Sequence, residues 1–210
     1  MGVRGFWMRS ALRFALLAAL TLIPVSQAKA VVFDFETTPT GTGLTSLTLT
    51  QGTASITITR FGGVAFAITD ISLAGAPASF GARTLLPSPF VSNVILLDLS
   101  APTNRIAVDF GDFGADSDPV TMILLSGPGG GGSVVASVSA SWAASDSFPS
   151  YGAIVYYGGS TQIQSALLSS GGTFPNSLYF DNIAVPEPAT VLLLGAGLGA
   201  LALRRLFRRP

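Results

Sequence analysis

Along the central part of the chain, apolar residues return at every second position. Phe33 and Phe35 do so in VVFDFE, Ile56 and Ile58 in ASITITR, and Ile106, Val108 and Phe110 in RIAVDFG. A period of two turns one face of an extended segment to a core and the other to water, so each run predicts a half-buried β-strand. The same reading covers TSLTLT, VAFAITD, NVILLDLS, VTMILLS, SVVASVSAS, GAIVYYG, QIQSALL and NSLYFDNIAV. No window of this region combines helical spacing with caps and strong helix formers. SVVASVSASW is apolar on one face and almost all serine on the other, so its serines are expected in water.

Turn chemistry separates the runs. Glycine pairs begin at 62, 158 and 171, prolines stand at 77, 87 and 89, and Pro128 opens a tract of glycines to 132. Glycine supplies positive φ and proline fixes φ near its turn value, so these positions punctuate strands. The glycine tract is expected as a flexible hairpin loop, because neither a strand-to-helix transition nor a lysine follows to make a phosphate cradle. Residues 74–92 form the longest stretch without alternation and are expected as a loop on one rim. About ten short strands at intervals of roughly 8 to 15 residues, with no helices between them, predict an all-β fold, an antiparallel β-sandwich or jelly roll. The absence of a fixed internal period argues against a propeller or β-helix.

The two ends break the pattern. Arg4, Arg9 and Arg13 precede an apolar run from Phe14 to Val25, followed by Ala28-Lys29-Ala30. That order predicts a secretory signal peptide over residues 1–30, with Ala28 and Ala30 at the signal-peptidase site and the mature chain starting at Val31. The competing reading, a retained N-terminal anchor, has against it the shortness of the run and Pro24 near its end. A domain over residues 31–184 and a C-terminal segment over 185–210 remain.

Formal charge over the whole chain is zero, and this conceals a division. Between Val31 and Val185 three arginines stand against ten carboxylates, a net charge of −7. A body so acidic repels phosphate backbones, so no nucleic-acid partner is expected, whereas divalent cations are admissible. Cysteine is absent although export would permit disulfides, so the fold stands on its core. Roughly 155 residues suffice for that, burying on the order of two thirds of the unfolded chain's surface.

After Val185 come Pro186-Glu187-Pro188, an uncharged stretch from Ala189 to Leu203, and Arg204, Arg205, Leu206, Phe207, Arg208 and Arg209. As a helix the stretch is about 22 Å long against a hydrocarbon core of about 30 Å, so it spans with thinning or with the arginines snorkelling. The four arginines belong on the cytoplasmic side and hold the acidic body outside. Gly195 and Gly199, four residues apart, permit close helix contact.

This tail resembles the PEP-CTERM sorting signal of Gram-negative bacteria, a family pattern of Pro-Glu-Pro, a glycine-containing apolar helix and a basic end. The same region is sometimes labelled the C-terminal domain of ice-binding proteins. The resemblance implies an exosortase-type membrane protease as partner, with Pro186, Glu187 and Pro188 as its recognition motif and extracellular polysaccharide as the usual setting. Two prolines also keep the segment extended and free of helix at the membrane face, where a protease can grip it. An ordinary tail anchor is the alternative.

The chain has no histidine, and its only lysine lies in the leader. Histidine- or cysteine-based nucleophilic catalysis, Schiff-base chemistry and histidine-ligated zinc are thereby excluded. Carboxylate chemistry survives, and a glycosidase would need two carboxyl groups facing one cleft. Nothing in the spacing singles out a pair.

Two acidic clusters are candidate cation sites. VFDFE at 32–36 and LYFDNIAV at 178–185 resemble the opening and closing strands of carbohydrate-binding jelly rolls. That resemblance implies terminal strands lying together, with Glu36 and Asp181 as calcium ligands. The plainer account of Asp181 and Asn182 is a β-bulge or strand-end turn. The second cluster, DFGDFGADSDP, contributes Asp109, Asp112, Asp116 and Asp118; calcium accepts such oxygen ligands, but the EF-hand order is missing, and a solvated loop is the plainer account. Trp142, Tyr151, Tyr156 and Tyr157 are candidate sugar-stacking aromatics, although only one of the adjacent pair 156 and 157 can face inward.

The expectation is therefore an exported, non-enzymatic β-sandwich with a binding or structural role at the cell surface or in the exopolysaccharide matrix. It is translocated by the secretion machinery across the inner membrane. The alternatives are a carboxylate-dependent carbohydrate-active hydrolase and an ice-binding protein.

Overall fold

Alternating residues make the strands, and their apolar members turn to one shared interior. The computed structural model describes residues 30–62, 65–71, 78–87, 94–112, 118–141, 150–171 and 178–186, with the backbone alone for 150 and 151. Among them the strands are β1 (Ala30–Phe33), β2 (Gly41–Leu44), β3 (Ser46–Gln51), β4 (Ala54–Arg60), β5 (Phe66–Asp70), β6 (Arg83–Leu86), β7 (Val94–Thr103), β8 (Arg105–Asp112), β9 (Pro119–Leu125), β10 (Val134–Ser141), β11 (Ser150–Tyr157), β12 (Ile163–Ser170) and β13 (Leu178–Pro186). Two single turns of 3-10 helix, Ala78–Phe80 and Pro128–Gly130, are the other regular elements described.

The strands form two antiparallel sheets. One has the order β11-β8-β13-β6-β5-β2, with β1 also paired to β13; the other has the order β10-β9-β12-β7-β4-β3. The fold is an all-β antiparallel sandwich, as the alternation predicts. Phe33, Phe66, Phe110 and Phe180 from the first sheet, with Phe35 from the segment after β1, meet Ile56, Ile58, Ile95 and Leu97 from the second, all essentially without solvent contact. Burying each such side chain contributes about 1.5–3 kcal/mol relative to exposure. With no disulfide, this layer is the main source of cohesion.

The opening and closing strands do lie together. Val31 pairs with Val185 and Phe33 with Ile183, while Ala30 and Pro186 form the outermost pair. Ala184 is bonded to β1 through Val32 and is matched to Ala107 of β8, so β1 lies on the flank of β13 opposite β8. That is also the flank of β6, whose Leu85 pairs with Phe180. Strands β1 and β6 thus succeed one another along a single side of β13.

Two expectations need correction. Residues 74–92 are not simply a rim loop, because β6 lies within them, in the sheet between β13 and β5. Its Thr84, Leu85 and Leu86 are all buried, so both faces are covered and the period of two vanishes. Strand β7 runs on through Pro102 to Thr103; its ladder with β4 reaches only Leu99, and its register with β12 shifts at this end, so no regular bond is demanded there of a residue lacking an N–H. The glycine tract is pinned rather than loose: the Gly129 amide donates to Asp98 Oδ1 at 2.9 Å, and the Gly130 amide to Ser165 Oγ at 3.2 Å. The Ser165 hydroxyl in turn donates to the Gly127 carbonyl at 2.6 Å. By contrast, Ser137, Ser139 and Ser141 of β10 are exposed, as expected.

Candidate functional site

The closing strand carries the most unusual chemistry. Its register against β8 shifts between Asp181 and Ala184, and Asn182 at this irregularity has a φ of +45°. Asparagine tolerates that conformation better than most residues, since its short amide finds local partners. Here the Asn182 amide nitrogen donates to Asp181 Oδ1 at 2.7 Å, and its side-chain Nδ2 donates to the Ser79 carbonyl at 2.7 Å and to Asp109 Oδ2 at 3.0 Å. The β-bulge reading of Asp181 and Asn182 is therefore correct as local geometry.

Asp181 is nonetheless more than a bulge residue. It is 1% exposed, and its Oδ2 is buried with no hydrogen-bond partner. Burial drives its pKa up to about 8, against the opposing backbone hydrogen bond from Asn182, and the charges of Glu36, Asp34 and Asp109 push in the same direction as burial. Burial also raises Asp109, offset in part by its bond to Asn182. Asp109 is the direct cross-strand partner of Asp181. Like charges placed opposite one another are destabilising, so this pair calls for a proton or a cation.

Glu36 reaches the same region from the segment following β1. Its Oε1 accepts the amides of Ala82 at 2.9 Å and Arg83 at 3.0 Å, joining that segment to the start of β6. Arg83 returns the contact, its Nη1 donating to the carbonyls of Glu36 at 3.1 Å and Thr38 at 2.7 Å. The Glu36 amide itself donates to Asp34 Oδ1 at 3.3 Å. Gly81 has a φ of +62°, and a Cβ there would stand 2.1 Å from Glu36 Oε1. Glycine is therefore required twice at this position, for backbone and for space.

The two sequence clusters are thus redistributed. Asp109, expected with Asp112, Asp116 and Asp118, instead faces Asp181. Asp112 and Asp118 are 1% and 0% exposed, so the solvated-loop reading fails for both; they occupy the end of β8 and the approach to β9. Asp116 lies outside the described residues. Sequence reasoning missed Asp34, Gly81, Arg83 and Asn182 as parts of the Asp181 surroundings, although Asp34 and Asn182 stand inside the two quoted runs. Among the described residues no three carboxylates converge closely enough to hold a metal by themselves. A cation at Asp181 would need main-chain carbonyls or water to complete its shell, which calcium accepts.

Of the aromatic candidates, Tyr156 packs against the core and Tyr157 is exposed, in keeping with their adjacency. The Arg105 guanidinium lies over the Tyr157 ring, 4.1 Å from its centroid, and donates to the Tyr157 hydroxyl. Trp142 and the Tyr151 side chain lie outside the described residues, as do Ala28, Glu187, Pro188, Arg204, Arg205, Arg208 and Arg209. Ala30, expected at the signal-peptidase site, and Pro186, the first residue of Pro-Glu-Pro, are described and face each other as β1–β13 partners. Among the described residues no helix is long and apolar enough to cross a membrane.

Solved structures similar to this chain include the following three. An arabinose-bound α-L-arabinofuranosidase aligns with a TM-score of 0.43 and 10% identity, over 78% of this chain and 27% of that one. The CBM22-1 and GH10 modules of endo-1,4-β-D-xylanase 10B from Clostridium thermocellum, complexed with xylohexaose, align with a TM-score of 0.38 and 12% identity, over 75% of this chain and 28% of that one. A CBM4 structure aligns with a TM-score of 0.31 and 9% identity, over 78% of this chain and 90% of that one. The chain thus spans little more than a quarter of the length of the first two. No curated protein matches the sequence. The family model for the PEP-CTERM protein-sorting motif matches residues 184–209, so the chain carries that motif, and it begins within the last strand of the sandwich.

Proposed function

We propose that the chain is an exported β-sandwich with a non-catalytic binding or structural role. On this reading the 1–30 leader takes it across the inner membrane, and the 185–210 segment holds it there until an exosortase-type membrane protease processes it. Its place of work is then the cell surface or the extracellular polysaccharide. The observation that supports this most directly is continuity: the sorting motif takes up the chain at Ala184, just as β13 completes the first sheet. Intact-mass analysis of the protein recovered from its native envelope tests the proposal, with Glu187→Ala as the comparison. Altered termini or location in the variant supports it, and identical products from both overturn it.

A second element concerns Asp181. We infer that a divalent cation, calcium by its preference for carboxylate and carbonyl oxygens, is held at Asp181 with Glu36 nearby and links the terminal strands. What supports it is the buried, unpartnered Oδ2 amid the charges of Glu36, Asp34 and Asp109. The same burial keeps a substrate bond away from Asp181 itself, which is 1% exposed.

A further inference from the structure

The chain enters the sandwich at Ala30 and leaves it at Pro186, and these residues are partners at one end of the β1–β13 ladder. The strand registers fix what else lies at that end. It is built from the β3–β4 turn after Gln51, the β7–β8 turn at Asn104, the β9–β10 connection at 126–133 and the β11–β12 connection at 158–162. In these segments and the strand residues that bound them, Arg105 is the only charged side chain. Two carboxylates adjoin it, Asp98, which accepts the Gly129 amide, and Glu187, which follows Pro186 in the chain; the others lie away from it. Asp112 and Asp118 bound the β8–β9 connection at the opposite end, while Asp34, Asp109 and Asp181 sit midway.

Exposure follows the same polarity. Val134 and Tyr157, each 64% exposed, are the most exposed large apolar residues described, and both border this end. Tyr157 carries Arg105 across its ring. A tyrosine with an apolar body and polar tip, beside an arginine whose stem can lie along apolar surface, is the pairing favoured at a membrane–water boundary. An acidic body is repelled by anionic headgroups, so it approaches a bilayer best by the end where an exposed arginine offsets nearby carboxylates.

We propose that the end of the sandwich formed by Ala30, Arg105, Val134, Tyr157 and Pro186 is a bilayer-facing surface that seats Arg105 and Tyr157 among phospholipid headgroups. The domain stands upright, its acidic end outward, for as long as the tail remains in the membrane. This rests on reading the 185–210 segment as membrane-held. Orientation, not added affinity, is the contribution of the surface.

The chain lacks cysteine, so a single introduced thiol reports one position without background. Ser160→Cys lies in the β11–β12 connection and Thr45→Cys at the opposite end, both exposed. Nine residues of β13 separate the two ends by about 30 Å, well beyond the reach of a headgroup quencher. Full-length chains labelled at either position are bound to vesicles of phosphatidylcholine and phosphatidylglycerol that carry a headgroup quencher. Quenching several-fold greater at Ser160 than at Thr45, with the difference reduced by Arg105→Glu, is the expected result. Equal quenching at both positions on vesicles that do carry the protein overturns the surface alone. Failure of the chain to co-float with vesicles overturns the membrane-held tail, and this inference falls with it.

Discussion

Asp109 stands directly across the β8–β13 ladder from Asp181, two carboxyl groups on one face of the sheet with a single asparagine, Asn182, bonded to both. Without a cation, the pair is relieved by keeping a proton. In the unfolded chain an aspartate titrates at about 3.9. In the fold Asp181 titrates at about 8. Between these values the native state binds a proton that the unfolded state releases, so stability declines as pH rises. In a chelator, thermal melts should therefore show full stability below about pH 4, a fall through neutrality and a plateau above about pH 8. Asp181→Asn should flatten the profile.

Calcium should reverse that decline at its alkaline end. Added Ca²⁺ is expected to raise the melting temperature of the wild type at pH 8 and to leave Asp181→Ala unmoved. Calorimetric titration of wild type, Asp181→Ala and Asp116→Ala provides the parallel binding measurement, in which loss confined to the first variant is expected. Equal affinity in wild type and Asp181→Ala would remove the site.

Gly81→Ala should be costly for a reason visible in one distance. Its new methyl would stand 2.1 Å from Glu36 Oε1 on a backbone with a φ of +62°, so the carboxylate must leave the Ala82 and Arg83 amides or the turn must open. A destabilisation of about 1–3 kcal/mol from backbone strain alone is expected, measurable by urea unfolding. Gly52→Ala, at a φ of +61° with nothing within 4 Å of the added methyl, is the matched control and should lose less.

Ser165→Ala tests the pinned glycine connection. The hydroxyl is fully buried, accepts from Gly130 and donates to Gly127, so its removal strands two backbone groups. A loss of about 1–3 kcal/mol is expected, together with faster amide exchange at Gly130.

Phe180→Ala should cost about 3–5 kcal/mol, since the ring is fully buried in the core beneath β13 and the chain has no cysteine to form a compensating crosslink. Val32→Ala, on a side chain 41% exposed in the neighbouring β1, should cost far less in the same urea experiment.

The sheet architecture was legible because most strands bury one face only. Ile56 and Ile58, or Ile106, Val108 and Phe110, announce themselves by alternation that survives any loop variation around them. Strand β6 was illegible because Thr84, Leu85 and Leu86 are all covered, leaving no period to detect, and prolines on either side read as loop. The Asp181 site was half legible. Glu36 and Asp181 were named from the two terminal runs, but Asp109 was grouped with its sequence neighbours, since adjacency along the chain carries no information about which strand stands across the ladder. Gly81 and Arg83 were beyond reach for the same reason, as both act on Glu36 across more than forty residues.

The pairing of Ala30 with Pro186 makes the sandwich a loop nearly closed on itself. Partnered residues in an antiparallel ladder have Cα atoms about 4.5–5.5 Å apart, so a few glycines would join the ends without disturbing either sheet. The domain should therefore tolerate circular permutation, with new termini opened at a surface turn such as Gly52, and should fit as an insert into a host protein's loop. Such a module can be placed behind any leader and ahead of any tail while keeping its fold.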